Sequence, residues 1–281
     1  MGVDIEHLKQ WVGRSEARTA RLEPYPANAL AATLDRDDPE YTDGTALPPL
    51  WHWLYFLPVQ RMSEVGPDGH PQRGGFLPPV PLPRRMWAGG RFTFRHPLRI
   101  GEMVRKVSRV LSVEHKEGRS GQLVFVRVGH ELANDQGLAV SEEHDIVYRD
   151  VTAPPSAPKP APTGAVWERI IRPDPVLLFR YSALTFNGHR IHYDQPYVTK
   201  VEGYPGLVVH GPLVATLLID LLRRERPDAT VRTFAFRAVG PLFDTAEFAV
   251  CGAPADDGKS VTLWARTREG LLAMEANASL A

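Results

Sequence analysis

Cysteine, net charge and long apolar runs are all scarce in this chain of 281 residues. Its one cysteine, Cys251, excludes an internal disulfide and is typical of a reducing compartment. Lysine plus arginine and aspartate plus glutamate both number 33, so no positive excess indicates a nucleic-acid partner. The most apolar run, residues 207–222, is too short to span a membrane. We therefore expect a soluble, cytoplasmic protein without a nucleic-acid or membrane partner.

Three helices are predicted before residue 60. Ile5, Leu8 and Val12 recur at helical spacing, which predicts an amphipathic helix over the first twenty residues. The segment "ANALAATLD" (27–35) predicts a second short helix, and "PPLWHWLYFLP" (48–58) an aromatic one bounded by prolines. No signal peptide is expected, because the first residues are charged and lack an apolar core.

A long loop and then a series of strands follow. Residues 62–83 contain enough glycine and proline to forbid regular structure, and a loop of this length is usually functional or disordered. Residues 91–150 predict long strands with turns at "KEGRSG" and "NDQG". The segment 151–164, "VTAPPSAPKPAPTG", predicts an extended, semi-rigid linker. Residues 232–281 then repeat the strand pattern, with turns at "ADDGK" and "REG".

The two strand blocks also begin with similar sequences. Phe92-Thr-Phe-Arg95 and Phe234-Ala-Phe-Arg237 are each followed by a Pro-Leu step. Together with the position of the linker and the matching order of turns, this predicts two copies of one fold. Each copy would be a helix packed on a curled antiparallel sheet. The expected boundaries are 1–150, a linker at 151–164, and 165–281.

The helix of the second half has an unusual entrance, His-Gly-Pro. Pro212 suits the first turn, and leucines with Val214 form a wide apolar face. A helix N-terminus offers unpaired N–H groups and the positive end of the helix dipole. Gly211 would let a ligand carbonyl approach its N–H closely, and His210 is a further candidate for ligand contact. A glycine tolerated at an ordinary helix start is the alternative.

Shortly before this helix, "SALTFNGHRIHYD" brings several ionisable residues together. Histidine suits proton transfer because its unperturbed pKa, about 6.5, lies close to working pH. His189 and His192 could instead chelate a metal with Asp194, but no distant cluster completes a ligand set, so no metal is expected. A loop whose histidines only bond the backbone is the remaining alternative.

These segments resemble a known family. "SALTFNGHRIHYDQPYVTKVEGYPGLVVHGPL" resembles the loop and helix entrance of MaoC-like, or hydratase 2, enoyl-thioester hydratases. It is most similar to the branch of mitochondrial-type 3-hydroxyacyl-thioester dehydratases and bacterial mesaconyl-C4-CoA (3-methylfumaryl-CoA) and itaconyl-CoA hydratases. "LPRRMWAGGRFTF" and "PLRIGE" are similar to the N-terminal domain of that branch. The resemblance implies an α+β double hot-dog fold, with two antiparallel sheets each wrapped around a central helix.

The resemblance implies a hydro-lyase that adds water reversibly to an α,β-unsaturated acyl-CoA thioester. No cofactor is implied, since CoA is part of the substrate. A short dicarboxylic acyl group is the first expectation, and a plain chain, as in the dehydratases of fatty-acid synthesis, is the alternative. A thioesterase and a non-catalytic acyl-CoA-binding protein are alternatives from other classes. The first half would shape the acyl tunnel, the loop at 62–83 would cover it, and a homodimer is left open.

The catalytic residues implied by the resemblance are only partly present. The family loop carries an aspartate and a histidine as a pair, and the matching positions here are Asn187 and His192. His192 is expected to transfer protons, and Asn187 could position the water. The group that assists His192 must come from elsewhere, with His189 and Asp194 the nearest candidates. The N–H of Gly211 would stabilise the enolate.

Arginines are the candidates for holding the substrate. Arg190 stands where the family usually has proline, and its guanidinium could bind a free carboxylate in bidentate fashion. Arg84, Arg85 and Arg91 are rivals for that role or for the CoA phosphates, and solvated arginines at a sheet edge are the alternative. Trp87 could line the acyl pocket or simply pack in the core.

Overall fold

A computed structural model describes residues 2–118, 121–150 and 157–281 of the chain. Within them the backbone forms ten strands: β1 (Ser15–Arg21), β2 (Arg84–Phe94), β3 (Met103–Gly118), β4 (Gly121–Asn134), β5 (Gly137–Arg149), β6 (Trp167–Ile171), β7 (Val231–Ala238), β8 (Phe248–Pro254), β9 (Ser260–Thr267) and β10 (Leu272–Leu280). They join into one antiparallel sheet with the order β1-β3-β4-β5-β2-β7-β10-β9-β8-β6.

Five α-helices accompany the sheet in the same residues: α1 (Ile5–Lys9), α2 (Pro24–Thr33), α3 (Pro175–Leu184), α4 (Gln195–Lys200) and α5 (Gly211–Glu225). Three short 3₁₀ turns cover Trp51–Leu54, Met62–Glu64 and Arg190–His192. No helix in the described part of the chain is long and apolar enough to cross a lipid bilayer. An antiparallel sheet with helices packed against it confirms the predicted α+β class.

The two halves of the sheet meet at β2 and β7. Phe92 lies directly opposite Phe234 in register, and Gly90 lies opposite Phe236. The two similar sequence motifs therefore pair with each other across the middle of the sheet. The strand order β2-β5-β4-β3-β1 on one side has the same form as β7-β10-β9-β8-β6 on the other. Each strand of the first half thus has one counterpart in the second.

Helix α5 is wrapped by the second half of the sheet, as predicted. It packs against β6, β8, β9 and β10, and every residue from Leu213 to Leu222 is buried. The one charged residue of this stretch, Asp220, pairs with three arginines: Arg36 at 2.6 Å, Arg169 at 3.0 Å and Arg224 at 2.7 Å. These ion pairs fix the C-terminal end of the helix, and its N-terminal end is directed to a cavity.

The first half lacks a matching helix. Among residues 2–118 and 121–150 no helix is as long as α5, and the longest one there is α2. Instead, α2 and the turn at Trp51–Leu54 contribute to the same apolar core as α5. Polar side chains of β3 to β5, among them Ser108, His130 and Glu142, are buried in this half. Helix α2 also packs against α3 of the second half.

The predicted N-terminal helix of twenty residues is also wrong. Helix α1 is only five residues long, and Gly13 adopts a left-handed backbone with φ of 87° before β1 begins. Residues of β1 alternate between exposed and half-buried positions and pair with β3. Ladder pairing with a distant strand outweighs the local helical pattern here.

Other local predictions have mixed outcomes. The predicted helix at 27–35 begins earlier, at Pro24, and the aromatic segment 48–58 forms only one 3₁₀ turn, because Leu50 and Phe56 adopt left-handed conformations. The turns "NDQG", "ADDGK" and "REG" are confirmed. Residues 151–156 of the predicted linker and 119–120 of "KEGRSG" lie outside the described residues.

Candidate active site

A cavity of about 1750 Å³ is lined by both halves of the chain. From the first half come residues of the long loop at 62–78, the start of β2, and inward-facing side chains of β3 to β5. The second half contributes the segment 186–193 and the first turn of α5. The loop that composition alone marks as functional or disordered is therefore ordered and forms part of this wall.

The segment 186–194 is shaped by local hydrogen bonds. Phe186 takes a left-handed conformation after α3, with φ of 50°. The Oδ1 atom of Asn187 then accepts a hydrogen bond from the backbone N–H of His189 at 3.0 Å. Asp194 caps α4 by accepting from the N–H of Tyr197 at 3.1 Å. Side chains with short polar groups thus close both ends of this segment.

His192 is the best-placed base of the cavity wall. Its ring is buried, with 7% of the residue exposed, and its Nδ1 lies 2.6 Å from the carbonyl oxygen of Val208. Because a carbonyl oxygen can only accept, Nδ1 carries the proton and Nε2 keeps its lone pair. Burial lowers the pKa of His192 to about 4, so the ring is neutral at neutral pH.

His210 lies directly behind His192 and does not line the cavity. It is completely buried, and its ring stacks on that of His192 with centroids 3.7 Å apart. Its Nε2 is 2.8 Å from the hydroxyl of Ser182 on α3. Because His210 does not line the cavity, the ligand contact predicted for it from the sequence is not confirmed. Its ring instead packs against that of His192.

The entrance of α5 is open to the cavity. Gly211 is the first residue of the helix, so its N–H has no partner within the helix. A Cβ added to Gly211 would approach only the carbonyl oxygen of Trp87, at 4.0 Å. A ligand carbonyl can therefore reach this N–H, which lies one residue after the ring that supports His192. This arrangement can hold a developing oxyanion.

Arg190 and Asp194 are engaged with each other. The Nε and Nη2 atoms of Arg190 lie 2.9 and 2.8 Å from one Asp194 oxygen, and Nη1 donates to the carbonyl of Pro67 at 3.0 Å. The guanidinium also stacks over the ring of Tyr197. Asp194 makes its bonds to Arg190 and Tyr197 and does not line the cavity. The structure therefore brings His189 and His192 together without Asp194.

The remaining arginine candidates differ in whether they line the cavity. Arg84 donates to the carbonyl of Glu202 at 2.9 Å and is outside the cavity lining. Arg91 pairs with Glu143 and Asp145, also away from the cavity. Arg85 lines the cavity and forms no ion pair with any described residue. Its positive charge lies close enough to His70 and His189 to lower the pKa of both rings, which burial also lowers.

Trp87 both lines the cavity and packs in the core, the two roles that the sequence predicts for it. It lines the cavity, and its indole N–H donates to the carbonyl of Gly89 at 2.8 Å. Its ring also packs on His144, with centroids 4.0 Å apart, and on Trp53 at 5.0 Å. Trp87 therefore forms a fixed wall of the cavity.

Sequence reasoning missed Asp68 and His70. The carboxylate of Asp68 lies 3.1 Å from the Nδ1 of His70, and the ring of His70 packs on that of His189 with centroids 4.0 Å apart. Both residues belong to the long loop, more than 100 positions before His189 in sequence. The "DGH" triplet in this loop was the available signal, but only the fold shows which site it reaches.

Two groups of described side chains could hold a cation, with ligand atoms within 4.8 Å of one another: Asp68, His70 and His189, and His130, Glu142 and His144. Each of the two groups has a positively charged neighbour, which disfavours the binding of a divalent cation. Burial lowers the pKa of His70 and His189, and the charge of Arg85 lowers both further. In the second group the ammonium of Lys106 lies 4.0 Å from Glu142. The expectation of a metal-free site stays a prediction.

Comparisons with known proteins agree with this geometry. The family model of hydroxyacyl-thioester dehydratase type 2 matches residues 50–244. The chain is 49% identical over 273 residues to mesaconyl-C(4)-CoA hydratase of Chloroflexus aurantiacus, covering 96% of each protein. It is 28% identical over 235 residues to the mitochondrial hydroxyacyl-thioester dehydratase type 2 of Schizosaccharomyces pombe, covering 74% of this chain and 78% of that protein.

A solved structure shares the fold at low sequence identity. A MaoC-like dehydratase from Phytophthora capsici superposes with a TM-score of 0.72 over 99% of both chains, at 13% identity. This likeness concerns the fold, and it confirms the expected hot-dog architecture.

Proposed function

The chain belongs to the hydroxyacyl-thioester dehydratase type 2 family, and we propose that it adds water reversibly to a short dicarboxylic enoyl-CoA thioester. Mesaconyl-C4-CoA is the first candidate substrate, because a relative that is 49% identical is named mesaconyl-C(4)-CoA hydratase. Itaconyl-CoA, which is also a dicarboxylic thioester, is the second. A plain 3-hydroxyacyl thioester is the alternative, supported by the relative that is 28% identical.

One observation carries this proposal: a neutral histidine with a free Nε2 lies beside the open N–H of a helix N-terminus. Nε2 of His192 takes a proton from water as the hydroxyl adds to the β-carbon. The electron pair of the C=C bond moves to the thioester oxygen, which the N–H of Gly211 stabilises. Proton delivery to the α-carbon then completes the addition. Asn187, at the cavity wall, has an amide NH₂ that can orient the water.

We assign the free carboxylate of the acyl group to Arg85. Arg190, the first candidate from the sequence, already has Asp194 as its partner, whereas Arg85 has no ion pair among described residues and lies close enough to lower the pKa of His70 and His189, which burial also lowers. The carboxylate of a C4 dicarboxylic acyl group sits next to the reacting carbons, so its partner must lie near the histidines. Arg85 meets this condition.

The charge of the cavity wall supports CoA as the carrier. Basic side chains exceed acidic ones in the lining, where Arg18, Arg73, Arg85, Lys106, Arg149, Lys159 and Arg190 face only Glu16 and Glu64. This excess suits the phosphates of CoA. We propose no cofactor beyond the CoA of the substrate.

We further propose two hot-dog units, 1–150 and 165–281, joined at 151–164. The matching strand order on the two sides of β2 and β7 supports this division. Only the second unit has a long central helix, so the first would serve to shape the cavity. A cytoplasmic location fits the one buried free thiol of Cys251. Sedimentation tests the homodimer that the sequence leaves open.

The test is a substrate panel with purified protein. Mesaconyl-C4-CoA, itaconyl-CoA and crotonyl-CoA are offered separately, and loss of the enoyl-thioester absorbance is followed. We expect the fastest loss with a dicarboxylic substrate. Release of free thiol would indicate a thioesterase instead, and binding without turnover of any substrate would indicate an acyl-CoA-binding protein.

A further inference from the structure

Asp68 and His70 form a carboxylate–imidazole pair on the cavity wall. The Oδ2 atom of Asp68 lies 3.1 Å from Nδ1 of His70, and Oδ1 accepts the backbone N–H of His70 at 3.0 Å. We infer that His70, oriented by Asp68, is the second proton-transfer residue of the site and does the work of the carboxylate that Asn187 lacks. This inference rests on the proposed hydratase function.

The loop holds this pair against the second half of the chain. The backbone N–H of Arg190 donates to the carbonyl of Asp68 at 2.9 Å, and its side chain reaches the carbonyl of Pro67. Gly69 adopts a φ of 87°, and a Cβ there would overlap the carbonyl oxygen of Gly188. The close approach of two backbones fixes the position of His70 relative to His189.

The tautomer of His70 follows from its partner. A carboxylate can only accept, so Nδ1 carries the proton and Nε2 is the atom left for chemistry. The ring lines the cavity and packs on His189, whose own ring lies 5.4 Å from that of His192. His189 therefore lies in contact with the rings of both proton-transfer residues.

The reaction needs one proton shared between two imidazoles, because one must accept from water and the other must donate to the α-carbon. Asp68 favours the charged form of His70, whereas His192 has only a carbonyl oxygen on Nδ1. Of the two rings, His70 therefore has the partner that favours holding the shared proton. The other charged or titratable groups around His70 are Arg73, Arg85, His189 and His192.

Two proton transfers, one at each imidazole, complete the hydration. Nε2 of His192 takes a proton from water while the C–O bond forms at the β-carbon. Nε2–H of the His70 imidazolium gives its proton to the α-carbon, which breaks the N–H bond and forms the C–H bond as the enolate collapses. His192 now holds the extra proton, and its return to His70, through His189 or solvent, restores the starting state. Asp68 is a positioning residue, since it acts on the substrate only through His70.

The pH dependence has a definite sign. His192 must be neutral, and burial lowers its pKa to about 4, so activity falls on the acid side near that pH. His70 must be protonated, so activity falls on the alkaline side as pH rises through its pKa. Burial lowers that pKa by more than Asp68 raises it, so the alkaline limb lies below the ordinary pKa of a histidine. Removing the Asp68 carboxylate therefore moves the alkaline limb to lower pH and leaves the acid limb in place.

The experiment measures kcat and KM across pH for the wild type, His70→Asn, His70→Gln, Asp68→Asn and Asp68→Glu. His7→Asn is the matched control, because His7 is exposed on α1 away from the cavity. Circular dichroism checks that each variant folds, and the glutamine variant serves if the asparagine variant does not.

We expect His70→Asn to lower kcat by about 100-fold or more with KM changed less than about threefold, which is the range of general acid–base catalysis. Asp68→Asn should shift the alkaline limb, and Asp68→Glu should restore part of it. A folded His70 variant with unchanged kcat, or an unmoved alkaline limb in Asp68→Asn, overturns the inference alone. A wild type that hydrates none of the three substrates overturns the proposed function and the inference together.

Discussion

The ring of His210 stacks on the ring of His192, with centroids 3.7 Å apart and planes 18° apart. Burial, then the neighbouring His192 and His189, lower the pKa of His210 well below its ordinary value, so it stays neutral. A neutral flat ring held by Ser182 can fix the tilt of His192 without repelling the proton that His192 accepts. The entrance of α5 therefore contributes a support for the base as well as an N–H donor.

This support makes His210→Ala a test of ring orientation. Without the stacking surface, His192 gains freedom while keeping its bond to the carbonyl of Val208. We expect kcat to fall by roughly tenfold with little change in KM, because a misplaced base loses proximity and not substrate binding. His210→Phe, which keeps a flat ring, should recover part of the loss. Equal kcat in His210→Ala and the wild type would remove the supporting role.

Gly211→Ala tests the close approach of the thioester to the helix N-terminus. The φ of Gly211 is not in the left-handed region, and an added Cβ has only the Trp87 carbonyl within 4 Å, so folding should be unaffected. The methyl group would occupy the space in front of the N–H. We expect kcat/KM to fall about 10- to 100-fold with the melting temperature preserved, comparable to losing part of an oxyanion donor. Unchanged kinetics would place the thioester oxygen elsewhere.

Arg85→Ala and Arg190→Ala separate substrate recognition from loop structure. Loss of Arg85 should raise KM for mesaconyl-C4-CoA by about tenfold or more and spare crotonyl-CoA, because only the first carries a free carboxylate. Loss of Arg190 removes the bonds to Asp194 and Pro67 and should weaken activity on both substrates alike. The reverse pattern would indicate that Arg190, the first candidate from the sequence, binds the free carboxylate of the substrate.

Asp220→Asn tests how α5 is anchored. The carboxylate has no exposed surface and pairs with three arginines. Breaking such a buried pair leaves uncompensated charge, so we expect a loss of about 3–5 kcal/mol in the free energy of unfolding, measured by urea denaturation. Glu275→Gln is the control: it breaks the exposed pair with Arg237 and should cost about 0–1 kcal/mol. Similar losses in both variants would contradict the anchoring role.

Local patterns predicted the second half better than the first. The apolar face of α5 and its Gly-Pro entrance are encoded within about fifteen neighbouring residues, so periodicity is enough to find them. The N-terminal prediction was wrong because the helix that contains Ile5 and Leu8 ends at Lys9, before Val12, and the pairing of β1 with β3 depends on residues about 90 positions away. No local pattern contains that information.

The candidate site also contains residues that a local sequence motif predicts and residues that only the fold brings together. His192 and Gly211 lie in one continuous motif and were predicted from the sequence, and their roles stay predictions. The pair Asp68–His70 could not be placed, because its contact with His189 depends on the packing of a glycine-rich loop against the other half of the chain. The sequence favours Arg190 over Arg85 because Arg190 stands where the family usually has proline. Its ion pair with Asp194, four residues later, becomes visible only in the fold.

The measurement that tests the central claim most directly is the decay of the enoyl-thioester absorbance with mesaconyl-C4-CoA, for the wild type and His192→Ala. The variant removes the imidazole whose Nδ1 lies 2.6 Å from the carbonyl oxygen of Val208, and it should lower kcat by about 100- to 10,000-fold while the protein stays folded. Decay with the wild type and almost none with the variant is the result that we predict. Equal decay in both would show that the base of the reaction is not His192 and would contradict the account.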